Sequence, residues 1–136
     1  MDYVSKIVKL NSNVSGLYAL FADFRNLVRL VPPDKVADLE ATEDECSFTV
    51  KPIGRAGLRI VDREQDKTVK YATDSKSHGD FMLWVQLKPA TPQETYLRIT
   101  LRAKLNILLR NLVGGKLQKG LDDFVDKLAE GMNGAR

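Results

Sequence analysis

Only one stretch of this chain is long enough to cover a sheet. Residues 105–132, LNILLRNLVGGKLQKGLDDFVDKLAEGM, repeat apolar positions at helical spacing and would extend about 40 Å as one helix at 1.5 Å per residue. The chain from Val36 to Leu105 has another texture: short runs rich in Val, Ile, Thr and aromatics, broken at ATEDE, PIGRAG, EQDK, SKSHGD and PATPQE. Turn formers at such intervals predict six consecutive antiparallel strands. A sheet with one apolar face needs a cover, and the terminal helix has to supply it.

Alternation along the strands sorts the faces. Cys46, Phe48 and Val50 share one side, as do Leu58 and Ile60, then Val69, Tyr71 and Thr73, then Phe81, Leu83, Val85 and Leu87, and finally Leu97, Ile99, Leu101 and Ala103. The other side of the last two strands carries Met82, Trp84, Gln86 and Lys88, and Tyr96, Arg98, Thr100, Arg102 and Lys104. That is a wet face with one indole on it, unless Trp84 points inward. Upstream, YVSKIVKL at residues 3–10 reads as a first strand. Ser12 or Asn13 can cap a helix bearing Val14, Leu17, Tyr18, Phe21 and Phe24, and RNLVRLV is a second helical piece stopped by Pro32 and Pro33. The sum is one α+β domain over residues 1–136: a seven-stranded curved antiparallel sheet around a long C-terminal helix, with two short helices after strand 1.

Gly114 and Gly115 interrupt that long helix, at about 1 kcal/mol each relative to alanine. On a helical wheel Val113, Leu117, Leu121, Phe124 and Leu128 form one stripe. Leu105, Leu108, Leu109 and Leu112 cluster about 130° away. A straight helix cannot bury both sets against one sheet, so a kink or break is expected where the phase changes.

Composition excludes several classes. The hydrophobic fraction is 43% and the charged fraction 29%, against both disorder and a membrane protein. No apolar run nears the roughly 20 residues of a membrane span, and MDYVSKIVKL lacks the apolar core of a signal peptide, so a cytoplasmic protein is expected. The 21 basic residues are interspersed with 18 acidic ones, which predicts no nucleic-acid partner. One cysteine and one histidine exclude an intrachain disulfide and leave too few ligands for a common zinc site. No metal or cofactor is expected.

Several segments resemble the START and birch-pollen-allergen-like superfamily, also labelled SRPBCC or polyketide cyclase/dehydrase and lipid transport. NSNVSGLYALFADFRNLVRLVPP is similar to its first strand-to-helix passage, GRAGLRIVDREQDKTVKYAT to the middle strands of its short bacterial members, LWVQLKPATPQETYLRITL to its penultimate hairpin and LQKGLDDFVDKLAEGM to its terminal helix. The resemblance spans essentially the whole chain and implies a helix-grip fold with a cavity between sheet and helix for a hydrophobic small molecule. It carries over no catalytic set.

The residues that converge toward such a cavity are Phe24, Val28, Phe48, Val50, Tyr71, Phe81, Leu83, Ile99, Leu117 and Leu121, joined by Leu27, Val113 and Phe124. Tyr18, Tyr71 and Thr73 offer polar tips. The expected function is to bind or carry a small hydrophobic molecule. The alternatives are a cyclase- or dehydratase-type enzyme acting through Tyr18, Tyr71 or His78, and a protein-interaction module using the Trp84 face. His78 lies in a turn without a partner nearby in sequence. Cys46 follows Glu43, Asp44 and Glu45 on a core-facing strand, a setting for a structural thiol rather than a nucleophile. GRAG at 54–57 reads as a hairpin turn and not a phosphate loop, because no helix follows it. The pairs Asp122 and Asp123, and Asp62 and Glu64, suggest no acid–base couple. Trp84 and Met82, with Arg98 placed to stack on the indole, suggest a homodimer contact through the outer sheet face.

Overall fold

The first strand breaks at Ser5. In the computed structural model, which describes residues 2–30, 36–50, 54–74, 80–104, 110–111 and 114–133, β1 (Asp2–Val4) and β2 (Val8–Leu10) both pair antiparallel with one long strand, β8 (Glu94–Lys104). Ser5 is 4% exposed. Its N–H donates to Ile99 O at 2.8 Å and its Oγ accepts the Ile99 N–H at 2.9 Å. A side-chain oxygen thus replaces a backbone carbonyl in the ladder, and the strand bends without orphaning a buried amide. Among the described residues, the seven expected strand positions are therefore filled by eight strands.

The remaining elements are α1 (Val14–Phe21), α2 (Phe24–Leu27), a 3-10 turn (Val28–Leu30), β3 (Ala37–Ala41), β4 (Glu45–Val50), β5 (Gly54–Glu64), β6 (Thr68–Thr73), β7 (Asp80–Thr91), a second 3-10 turn (Gly114–Lys116) and α3 (Leu117–Asn133). The sheet is antiparallel in the order β1-β8-β7-β6-β5-β4-β3. This is the expected α+β helix-grip architecture. GRAG is not a turn: Gly54 pairs with Val50 and Gly57 with Ser47, so the segment opens β5. A Cβ at Gly57 would lie 2.0 Å from Asp74 Oδ2, so any larger residue there would have to displace the Asp74 side chain.

Burial alternates along β8 as expected, with Leu97, Ile99, Leu101 and Ala103 inside. These join Leu10, Leu17, Phe21, Phe24, Val69, Tyr71, Val85, Val125 and Leu128 in the interior. On α3 the deepest residues are Val125 and Leu128, while Phe124 is 38% exposed. The buried stripe is centred nearer Val125 than the wheel suggests, which puts Phe124 on its edge.

The helical stretch expected over 105–132, with a kink or break at its paired glycines, is described at 110–111 and from Gly114 onward. The chain is helical at 110–111, forms the 3-10 turn at Gly114–Lys116, and becomes the regular helix α3 from Leu117. Seventeen residues give about 25 Å at 1.5 Å per residue. A Cβ built on Gly115 meets nothing within 4 Å, so Gly115→Ala is expected to raise stability by about 0.4–1 kcal/mol by restricting the unfolded chain. Urea denaturation checks this.

α3 packs on β1, β2 and β8, at one side of the sheet. A row of polar side chains along one edge of the helix fastens it to the broken strand. Gln118 Nε2 donates to Val4 O (2.9 Å), Asp122 Oδ1 accepts the Lys6 N–H (2.9 Å), Lys6 Nζ pairs with Asp126 (2.7 Å), and Asn133 bonds Lys9 O and the Asn11 N–H (both 2.7 Å). The bend at Ser5 frees backbone groups, and the helix edge satisfies them.

Candidate functional site

Two caps start the helices that close the inner face. Asn13 Oδ1 accepts the Gly16 N–H at 2.7 Å to begin α1, and Asp23 Oδ1 accepts the Arg25 N–H at 2.9 Å to begin α2. The Arg25 guanidinium also binds Asp23, at 2.7 Å, and holds its carboxyl below the usual range. The corner between α1 and α2 is then tied down from the sheet. The Tyr71 hydroxyl donates to Phe21 O, Arg63 donates from Nε and Nη2 to Ala22 O at 3.1 and 2.9 Å, and Phe24 N–H donates to Glu43 O at 3.1 Å. Arg63 is itself held by Asp44 at 2.6 Å. The Phe24 ring settles on Tyr71, centroids 5.4 Å apart and tilted by 59°.

With α3 seated toward β1, β2 and β8, the β3–β5 side of the inner face is left incompletely filled. A cavity of about 220 Å³ opens there, lined by Phe24, Leu27, Val28, Leu30, Val36, Leu39, Cys46, Phe48, Leu58 and Phe124. Every side chain among these is apolar apart from the weakly polar Cys46 thiol. Leu30, Leu39 and Phe124 are 39%, 36% and 38% exposed and form the rim. Beside Leu39, β3 carries an extra residue between Ala37 and Glu40, with Asp38 in the left-handed region at φ 53°, a bulge of the kind that re-aims neighbouring side chains.

Of the residues the sequence brings forward, Phe24, Val28 and Phe48 line this cavity, together with Leu27 and Phe124. Tyr71 and Ile99 are each 2% exposed and lie in the packed core. Leu83 and Leu121 lie between that core and a smaller cluster of Tyr3, Leu101 and Ala103, against which Phe81 and Leu117 also pack. The side chain of Val50, and all of Val113 and His78, lie outside the described residues. Leu30, Val36, Leu39, Cys46 and Leu58 are lining residues that the sequence does not single out for this role. Apart from Leu30, which ends the 3-10 turn, they lie on or just before β3, β4 and β5, the strands farthest from β8.

Two of the polar tips are otherwise engaged. Burial pushes the Tyr71 phenol well above its ordinary range, and its proton goes to Phe21 O. Thr73 Oγ1 accepts the Phe81 N–H at 3.2 Å, and Tyr18 packs against the core. Asp122 accepts from Lys6 N–H and from Gln118, and the first of these does most to lower its carboxyl below the usual range. Among the described residues no group of three or more His, Cys, Asp or Glu side chains could hold a metal ion, and no helix is long and apolar enough to cross a membrane.

Burial lifts the Cys46 thiol from 9.0 to about 11, with the nearby Asp74 charge adding to the rise and a backbone hydrogen bond at Leu58 opposing it. A two-unit rise leaves about 100-fold less thiolate at pH 8 than in the unfolded chain. Iodoacetamide should therefore label native Cys46 at least about 100-fold more slowly than Cys46 in urea. The raised value also means that the folded chain holds this proton longer, so its contribution to stability is complete below pH 9 and is lost as pH rises toward 11.

No protein-family model and no curated protein sequence matches the chain. Solved structures do. A conserved protein from Geobacillus kaustophilus superposes with a TM-score of 0.72 at 16% identity, covering 99% of this chain and 97% of its own. A protein from Thermus thermophilus gives 0.71 at 18%, covering 99% of both chains. Norcoclaurine synthase from Thalictrum flavum, solved with dopamine and hydroxybenzaldehyde, gives 0.71 at 11%, covering 100% of this chain and 89% of its own. The chain therefore has the helix-grip fold of the START and birch-pollen-allergen-like proteins.

Proposed function

We propose that this protein binds a small hydrophobic molecule in the cavity bounded by β3–β5, the α2 corner and Phe124 of α3. The observation that carries the reading is the lining itself: about 220 Å³ walled by apolar side chains, with an apolar rim open to solvent. A dry apolar cavity of about 150 Å³ takes up benzene, so this one has room for a bicyclic ring or a short alkyl chain. Desolvation supplies the affinity, at about 25 cal/mol per Å² of apolar surface buried. With no charged or strongly hydrogen-bonding side chain on the described walls, the part of the ligand inside must be hydrocarbon in character, and any polar group must stay at the mouth.

The enzyme reading is weaker. A general acid or base has to reach the substrate, yet among the described lining residues only Cys46 titrates, and it does so near pH 11. Naphthalene, a neutral hydrocarbon, is the direct probe. It should bind with a saturable calorimetric signal and raise the melting temperature, by about 2.7 kcal/mol of added stability at 100 times its Kd. No heat and no shift up to its solubility would sink the binding function.

A further inference from the structure

The outer face of the sheet holds a feature that the cavity does not use. Register places Lys9, Tyr96, Arg98, Gln86 and Lys88 on this side, next to Trp84, and Ile7 borders the same surface. Trp84 lies between Lys70 on β6 and Thr100 on β8. Its indole is covered by Lys70 Nζ at 5.2 Å and Arg102 Cζ at 5.4 Å from the ring centroid. Arg98 does not stack there, contrary to the sequence expectation, because its Nε donates to Gln86 Oε1 at 2.8 Å. That bond turns Arg98 toward a groove of about 360 Å³ lined by Ile7, Gln86, Lys88, Tyr96 and Arg98, with Leu87 and Leu97 beneath.

The groove combines two properties. Its walls are exposed and partly apolar, Ile7 being 60% and Tyr96 43% exposed. The charged side chains that line it, Lys88 and Arg98, are both positive. Of the carboxylates on this face, Glu94 is held by Lys9 at 3.5 Å, Asp2 by Arg102 at 3.0 Å and Glu64 by Lys67 at 3.7 Å, while Asp62 stands across from Lys70 and away from the groove. Lys88, Arg98 and Lys70 have no carboxylate within 4.0 Å among the described residues. A two-fold contact between copies would set these cations against one another, and like charges across an interface are costly. The complement of this surface is a flat apolar group bearing an anion.

We propose that the groove between β2, β8 and β7 is a second binding site, for a free small molecule that joins a planar aromatic ring to a carboxylate or phosphate. The ring lies against Tyr96 and Ile7. The oxyanion meets the free edge of the Arg98 guanidinium and the Lys88 ammonium, a pairing stronger than one between neutral groups. A groove of this size suits a small molecule.

Trp84 is the chain's only tryptophan and sits on the outer face, so its fluorescence reports on this face. Benzoate and phenyl phosphate should each change that fluorescence saturably and shift the backbone amides at 86–88 and 96–98 in NMR spectra. Benzyl alcohol, which keeps the ring without the charge, and inorganic phosphate, which keeps the charge without the ring, should bind about tenfold more weakly or worse. Arg98→Gln and Lys88→Gln should each weaken benzoate binding about fivefold or more, while naphthalene uptake stays unchanged. The proposal is overturned if benzyl alcohol binds as well as benzoate, if neither substitution matters, or if the shifted amides lie on β4 and β5. It also fails if sedimentation shows a dimer that Arg98→Gln dissolves, since the face then belongs to a second copy, or if oligo(dT) outcompetes both anions.

Discussion

Tyr71→Ala is expected to lose about 3–5 kcal/mol of stability, the cost of emptying a buried aromatic site, out of the 5–15 kcal/mol typical of a domain. Tyr71 is 2% exposed. Its ring supports Phe24 and its hydroxyl carries the bond to Phe21 O. Tyr71→Phe separates these contributions: the ring stays, the Phe21 carbonyl loses its donor, and the loss should be about 1–3 kcal/mol. Urea denaturation of both variants measures the difference. If Tyr71→Phe matched the parent within error, the hydroxyl would not be what holds the α1–α2 corner to the sheet. Because that corner forms one wall of the cavity, Tyr71→Phe should also weaken naphthalene binding though it removes no lining atom.

Filling the cavity should have the largest effect on binding. Leu58 lies on β5 and lines the void, so Leu58→Trp places an indole into space that is already empty. Overpacking a filled core costs about 1–3 kcal/mol; here the cost should fall at or below the low end of that range. Naphthalene affinity should drop at least about tenfold, since the displaced ligand carried about 1.4 kcal/mol or more of burial. Val61→Trp is the matched control. Val61 is on the same strand, is 42% exposed and does not line the cavity, so the same side chain there should leave binding intact. Calorimetry on both variants decides: equal affinities would mean that naphthalene binds elsewhere.

The cavity candidates divide in an instructive way. Leu97, Ile99, Leu101 and Ala103 could be assigned to the interior because alternation along a strand is a local property. Whether an inward residue meets packed neighbours or empty space is not local. Tyr71, Ile99 and Leu83 have the same apolar pattern as Phe48 and Leu58, yet the first three pack under the helices and the last two border the void. The difference arises because α3 is fastened along β1 and β2 by Gln118, Asp122, Asp126 and Asn133. Ser5 makes that seam, and an isolated serine in an alternating strand gives no sign that it will take over an amide 94 residues away. The indole shows the same limit: its face was legible from alternation, but which cation covered it depended on Arg98 finding Gln86 first.

The sequence by itself determined most of the element types, the faces of the strands, the loss of regular α-helix at the paired glycines and the helix-grip architecture, because each follows from periodicity, turn chemistry or backbone propensity within a few residues. Only the tertiary structure decided where the terminal helix lies, which strands it leaves uncovered, and so where the cavity opens. Those outcomes depend on hydrogen bonds and packing between segments about a hundred residues apart, whose partners no local pattern names.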